Sequence, residues 1–121
     1  MDLTISQMLE MQKKLFEAHG KMWAPMTPQY GHEFIMYMVE EIGEVISIWK
    51  KKGPEAMLEE PAVREAFLEE MADVLLYYNE VLLRFHVSAE EISQAYEKKH
   101  QRNMTRNYKK QYEEMLTDGK K

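Results

Sequence analysis

Apolar residues recur along most of the chain at intervals of three and four, the spacing that places them on one face of a helix. Ile5, Met8, Leu9, Gln12, Leu15 and Phe16 mark such a face, and Thr4 before them is an N-cap residue. The pattern predicts a first helix from about Thr4 to His19, stopped by Gly20. Lys21 to Gly31 lacks periodicity and holds Pro25 and Pro28 around Trp23, so it reads as a loop. A second helix is predicted over about His32 to Lys52, ending at Gly53-Pro54. Glu55 to Glu60 reads as a short turn. A third helix starts near Pro61, a residue suited to the first helical position, and runs to about His86. Ser88 and Glu91 form an S-x-x-E capping pattern that opens a fourth helix through Ala95, with an outer limit at Met115. No stretch alternates with period two for long, so no strand is predicted. The fold class expected is all-α, a bundle of four to five helices in a single domain over residues 1–121, with its core at about 23–106 and a tail at 107–121.

The wheel of each long helix then raises a difficulty. Stepping ~100° per residue, the apolar arc of the second helix contains Phe34, Met38, Ile42, Val45 and Trp49, with Tyr37 and Ile48 on its flank. Glu41 falls inside that arc and Glu44 at its edge. On the third helix the expected core stripe is Phe67, Met71, Val74, Tyr78, Val81 and Phe85, and Glu70, Asp73, Tyr77, Glu80 and Arg84 line one margin. The acids come as two similar motifs, Glu40-Glu41-Ile42-Gly43-Glu44 and Glu69-Glu70-Met71-Ala72-Asp73. Carboxylates three apart on a helix project to the same side, which pairs Glu41 with Glu44 and Glu70 with Asp73. A lone pair of this kind is ordinarily a solvated surface feature. Four of them turned toward apolar faces are costly unless a cation accompanies them, and all-oxygen donor sets suit hard cations such as Mg²⁺, with Mn²⁺ as a substitute. Neither motif has a histidine in the Glu-x-x-His position that a di-iron bundle requires. His19, His32, His86 and His100 are expected to cap, pack or face solvent.

Composition sharpens this picture. The chain has 121 residues, 16 Lys and Arg against 21 Asp and Glu, and a formal net charge of −5. That balance argues against nucleic acid as a partner. Absence of cysteine excludes disulfides, thiolate catalysis and thiolate metal sites. No apolar run approaches the ~18 residues of a membrane span, and the acids and lysines of the first twenty positions do not read as a secretory leader. A cytoplasmic protein with no membrane partner is the default expectation. The negative charge is not evenly spread: Tyr96 to Lys110 reads YEKKHQRNMTRNYKK, with Lys99, Asn103 and Arg106 recurring on one face. Such a segment suits the negative C-terminal end of a helix, and equally an anion such as a phosphate held between a metal and basic side chains.

The order E-E-x-x-E at Glu40 to Glu44, then E-x-x-D at Glu70 to Asp73, then K-x-x-x-N-x-x-R at Lys99, Asn103 and Arg106 resembles the MazG-like all-α nucleotide pyrophosphohydrolases. The likeness covers roughly Trp23 to Arg106. It implies Mg²⁺-dependent hydrolysis of a (deoxy)nucleoside triphosphate to the monophosphate and pyrophosphate, as in housecleaning of the nucleotide pool. Carried over by motif, Glu41, Glu44, Glu70 and Asp73 would be the catalytic metal ligands, and Lys99, Asn103 and Arg106 would contact phosphate or sugar. Trp23 is placed like the aromatic residues on which such enzymes stack the base, and Trp49, on the apolar arc, is assigned to the core. Glu40 and Glu80 are accessory candidates. The resemblance further implies an oligomer, a homodimer or homotetramer. Few helices bearing 11 methionines and many aromatics would otherwise leave apolar faces exposed. Two other readings are a phosphoribosyl-ATP pyrophosphatase-like enzyme and a non-catalytic oligomeric helical protein whose acids are surface charge.

Overall fold

The computed structural model describes residues 1–106 and 108–119, and among them every regular element is helical. In chain order these are α1 (Ile5–His19), α2 (Gly31–Lys52), α3 (Pro54–Glu59), α4 (Pro61–Arg84), α5 (Ala89–Thr105) and α6 (Tyr108–Gly119), with short 3-10 turns at Gly20–Met22 and Pro28–Tyr30. The chain divides into two compact units, one from Met1 to Ala89 and one beginning at Glu90.

Local chemistry accounts for the boundaries. At the start of α1 the Gln7 backbone N–H donates to the Thr4 hydroxyl at 3.1 Å while the Gln7 side chain accepts from the Thr4 backbone at 2.7 Å, a closed capping box. Pro28, Pro54 and Pro61 each open a helical segment, where a missing N–H costs nothing. Gly53 ends α2 at φ 83°, a backbone angle that side chains disfavour, and this turns the chain directly into α3. The stretch read as a turn is instead the helix α3, and the loop before α2 contains two 3-10 turns; the fourth predicted helix ends at Thr105, within its expected limits, and a separate helix α6 follows it.

The heart of the first unit is the antiparallel pair α2 and α4, with α1 laid against α4 and α3 against both. At one end of the seam the Phe34 ring meets Tyr77 and Arg84, and at the other the last turn of α2 faces the first turn of α4. Gly31 sits in the seam because a Cβ there would come within 2.5 Å of the Phe85 ring. The faces that pack are those expected only in part: Phe34, Met38 and Val45 on α2 and Phe67, Val74 and Val81 on α4 are half-buried as expected, and the rest of each stripe is not. Trp49, assigned to the core, is 55 % exposed, and Ile42, Met71, Tyr78 and Phe85 are exposed as well. What α4 also turns inward is its polar margin: Glu80 and Arg84 are 1 % and 0 % exposed, and Glu70, Asp73 and Tyr77 are half-buried. Among the exposed apolar residues, two stripes stand out, Ile35, Val39, Ile42, Ile46 and Trp49 on α2 and Leu68, Met71, Leu75 and Tyr78 on α4. Both step by alternating three and four residues, the seam spacing of helices that pack against further helices.

Candidate metal centre and aromatic cleft

On the inward face of the seam, α2 contributes Glu41 and α4 contributes Glu70 and Asp73, one turn apart. One carboxylate oxygen from each lies within 4.8 Å of the other two, and all three residues are half-buried. Glu44, one turn further along α2, stays exposed and outside this triad, though its charge reaches Glu41. Glu40 is exposed. Within the first unit no lysine, arginine or histidine pairs with the triad, whereas Glu70 Oε2 is buried without a hydrogen-bond partner. The electrostatic consequence falls on Glu41. A hydrogen bond with Glu70, the loss of hydration, and the charges of Glu70, Asp73 and Glu44 all favour its protonated form and push its carboxyl up to about 7.

This donor set fits a small divalent cation. Ligands of Mg²⁺, bound at about 2.1 Å, stand roughly 3 to 4 Å apart around the ion, so the three oxygens need only a small contraction to share one. A cation would also give the Glu70 oxygen a partner and take the place of the proton that Glu41 holds against Glu70. The residues that would hold it are therefore Glu41, Glu70 and Asp73, with Glu44 adjacent.

Asp73 also borders a cleft of about 350 Å³ lined by Gln12, Leu15, Trp23, Phe34, Tyr37, Leu76 and Tyr77. Its walls are aromatic and mutually tilted: Phe34 and Tyr37 meet edge to face with centroids 5.4 Å apart, and Tyr37 and Tyr77 lie 5.8 Å apart. Trp23 leans on Phe16 at 6.1 Å and on His19 at 6.3 Å. Burial, then the charges of Glu41 and Asp73, raise the Tyr77 phenol above its ordinary value, and its side chain lines the cleft beside Asp73.

The loop carrying Trp23 is fixed from below by Arg84. Its guanidinium donates through Nη1 to the Pro25 carbonyl at 2.5 Å and through Nη2 to the Ala24 carbonyl at 3.1 Å. Nε and Nη2 meet Glu80 Oε1 at 3.1 and 3.0 Å, and its plane lies 3.9 Å over the Phe34 ring. Gln12 Nε2 donates to the other Glu80 oxygen at 2.8 Å. Glu80 is thus committed to an internal ion pair rather than offered as an accessory ligand.

Of the residues singled out in the sequence, the structure brings Glu41, Glu70 and Asp73 together and sets Trp23 in the cleft that Asp73 borders. Lys99, Asn103 and Arg106 belong to the second unit, Lys99 and Asn103 on α5 and Arg106 just after it. Sequence reasoning did not assign Phe34, Tyr37 or Tyr77 to a site. Tyr77 was the one with a signal, standing one turn beyond Asp73 on the same margin of α4. Comparisons of the chain with protein families, with curated proteins and with solved structures return no match.

Proposed function

We propose that this chain is a Mg²⁺-dependent nucleotide pyrophosphohydrolase of the MazG-like kind, acting on the bond between the α and β phosphates of a (deoxy)nucleoside triphosphate. The observation that carries the reading is the juxtaposition at Asp73. A carboxylate triad suited to a divalent cation opens directly into an aromatic cleft, and the cleft is of a size that small-molecule sites commonly have. The cleft walls offer flat apolar surfaces to a base, and the Tyr77 hydroxyl offers a donor beside them. Arg84 keeps Trp23 in register with those walls by holding the two carbonyls that follow it in the chain. A bound Mg²⁺ supplies polarisation of the α-phosphate and a more acidic water. Water attacks the α-phosphorus, the anhydride bond to the β-phosphate breaks, and its electron pair leaves on pyrophosphate. Lys99, Asn103 and Arg106 stay in the proposal as phosphate or sugar contacts on the resemblance of their motif alone.

Pyrophosphate release from a panel of common and modified nucleoside triphosphates, with Mg²⁺ or Mn²⁺, tests this. The parent chain is expected to turn over at least one of them and Asp73→Ala to lose at least a hundredfold. No turnover across the panel, or an Asp73→Ala chain as active as the parent, defeats the reading.

The exposed stripes favour a second statement, that the chain works as a homo-oligomer. Two heptad-spaced apolar stripes on adjacent helices are more than a soluble monomer ordinarily exposes, and a second copy offers the same spacing in return. Sedimentation is expected to show a dimer or tetramer at micromolar concentration, and Ile42→Lys with Leu75→Lys to shift it to monomer. A parent that sediments as a monomer contradicts this statement.

A further inference from the structure

A second groove opens on the far side of the triad. It follows the α2–α4 seam for about 420 Å³, with Ser47, Lys51 and Lys52 on the α2 side and Ala62, Val63 and Ala66 on the α4 side. Glu44 and Glu70 close its inner end. Lys51 and Lys52, from the last turn of α2, line the same groove as Glu44, in keeping with the lean of helical side chains toward the N-terminus of their helix. The lining carries two ammonium groups and two carboxylates, and neither ammonium forms an ion pair among the described residues, so once a cation occupies the acids both are available to an anion. Small residues on the opposite wall leave the space in front of them open.

The order of features along the seam is therefore directional. Asp73 faces the aromatic cleft, Glu70 faces the basic groove, and the triad that contains both lies between. We propose that the groove receives the diphosphate end of the substrate, with Lys51 and Lys52 as its anion contacts. The triphosphate then lies along the seam with its base among Trp23, Phe34 and Tyr37 and its α–β anhydride at the triad. When water adds to the α-phosphorus, the electron pair of the broken anhydride bond goes to the β-phosphate oxygen, which already faces the two ammonium groups, and the proton of the attacking water is lost to solvent. The direction of the substrate rests on the pyrophosphohydrolase reading; the anion site does not.

Lysines in the last turn of a helix also complement its dipole, and Lys50 separates the two explanations. It belongs to the same turn and lies outside the groove. Calorimetric titration of inorganic pyrophosphate into the full-length chain with Mg²⁺ present is the test, using the parent, Lys51→Ala/Lys52→Ala and Lys50→Ala, each checked by thermal melting. Expected are a loss of about tenfold or more in pyrophosphate affinity for the double variant, a change under about twofold for Lys50→Ala, and a matching rise in KM for triphosphate in the double variant alone. Equal affinity in parent and double variant, or an equal loss in Lys50→Ala, overturns the proposal. Lysine-dependent pyrophosphate binding in a chain that turns over no nucleotide upholds the anion site and removes the hydrolase reading. Asp73-dependent turnover with KM and pyrophosphate affinity indifferent to both lysines removes the groove proposal and leaves the hydrolase reading standing.

Discussion

The inward face of α4 carries carboxylates in two places, and the chain treats them differently. Glu80 is almost wholly buried, yet each of its oxygens has a donor, Arg84 on one and Gln12 on the other, and Arg84 in turn satisfies two loop carbonyls and lies on the Phe34 ring. Two to three turns toward the N-terminus, Glu70 and Asp73 meet Glu41 with no cation from the first unit paired to them. Buried charge is tolerated only when it is compensated. At Glu80 the compensation is built in, so that site is structural. At the triad it is left out, and the deficit shows in a stranded Glu70 oxygen and in a Glu41 carboxyl pushed up to about 7. Within the first unit the triad has no cationic partner, which makes it, and not Glu80, the candidate metal site.

Breaking the compensated site has the largest expected effect. Arg84→Ala strands the Glu80 charge, frees the Ala24 and Pro25 carbonyls and uncovers the Phe34 ring. Removing one partner of a buried ion pair costs about 3 to 5 kcal/mol, and chemical denaturation should show a loss in that range. Because the same guanidinium fixes the Trp23 loop, any folded Arg84→Ala population should also bind nucleotide more weakly. Glu80→Gln combined with Arg84→Met should recover part of the stability, since no charge is then left alone. A loss below about 1 kcal/mol would place Arg84 among surface ion pairs.

Completing the uncompensated site comes next. Mg²⁺ or Mn²⁺ at a hundred times its dissociation constant stabilises the native state by about 2.7 kcal/mol, which for a chain of this size is a rise in Tm of about 10 °C. Asp73→Asn should remove that rise while leaving the metal-free Tm equal to or above the parent's, because one of three repelling charges is gone. Glu80→Gln should lower the metal-free Tm and keep the rise. Loss of the metal response in both variants, or in neither, would erase the distinction between the two sites.

The long helices α1, α2 and α4 and the start of α5 were legible, because the three-and-four spacing, the Thr4 cap, Gly53 and Pro61 are local signals, whereas α3 and the break before α6 were not. Which faces pack was legible only in part, since Phe34, Met38, Val45 and Glu41 turn inward as expected. A helical wheel reports which side of a helix is apolar, and Trp49, Ile42, Met71 and Tyr78 lie on that side yet stand exposed. The wheel does not say whether α1, α4 or another copy covers them. The triad was legible as two motifs with three-residue spacing, and only packing could show that Glu41 joins Glu70 and Asp73 while Glu44 stays at the groove. The cleft was legible in fragments, since Trp23, Phe34 and Tyr77 come from separate segments. Arg84 escaped notice as the anchor of Trp23 because two of its partners are backbone carbonyls, which no residue type announces.

The smallest effect separates the sites by pH. Glu41 titrates near 7 in the folded chain against about 4.5 for an ordinary glutamate. Between those values the folded chain holds the extra proton, so without metal this group's contribution to stability is complete below about 4.5 and is lost as pH rises through 7. A metal ion binds the ionised triad and must displace that proton. Its apparent affinity should therefore be flat above about pH 7.5 and fall roughly tenfold per unit below 7, or about 1.4 kcal/mol per unit. Two experiments read this. The metal-induced rise in Tm should shrink from pH 8 to pH 6, and calorimetry at pH 6 in buffers of different ionisation enthalpy should show close to one proton released per ion bound. Glu41→Gln should bind more weakly at pH 8 and lose the proton release, while Glu80→Gln should leave both readouts as in the parent. A metal response that is the same at pH 6 and pH 8 would place the ion away from Glu41 and return the triad to the status of a solvated acidic face.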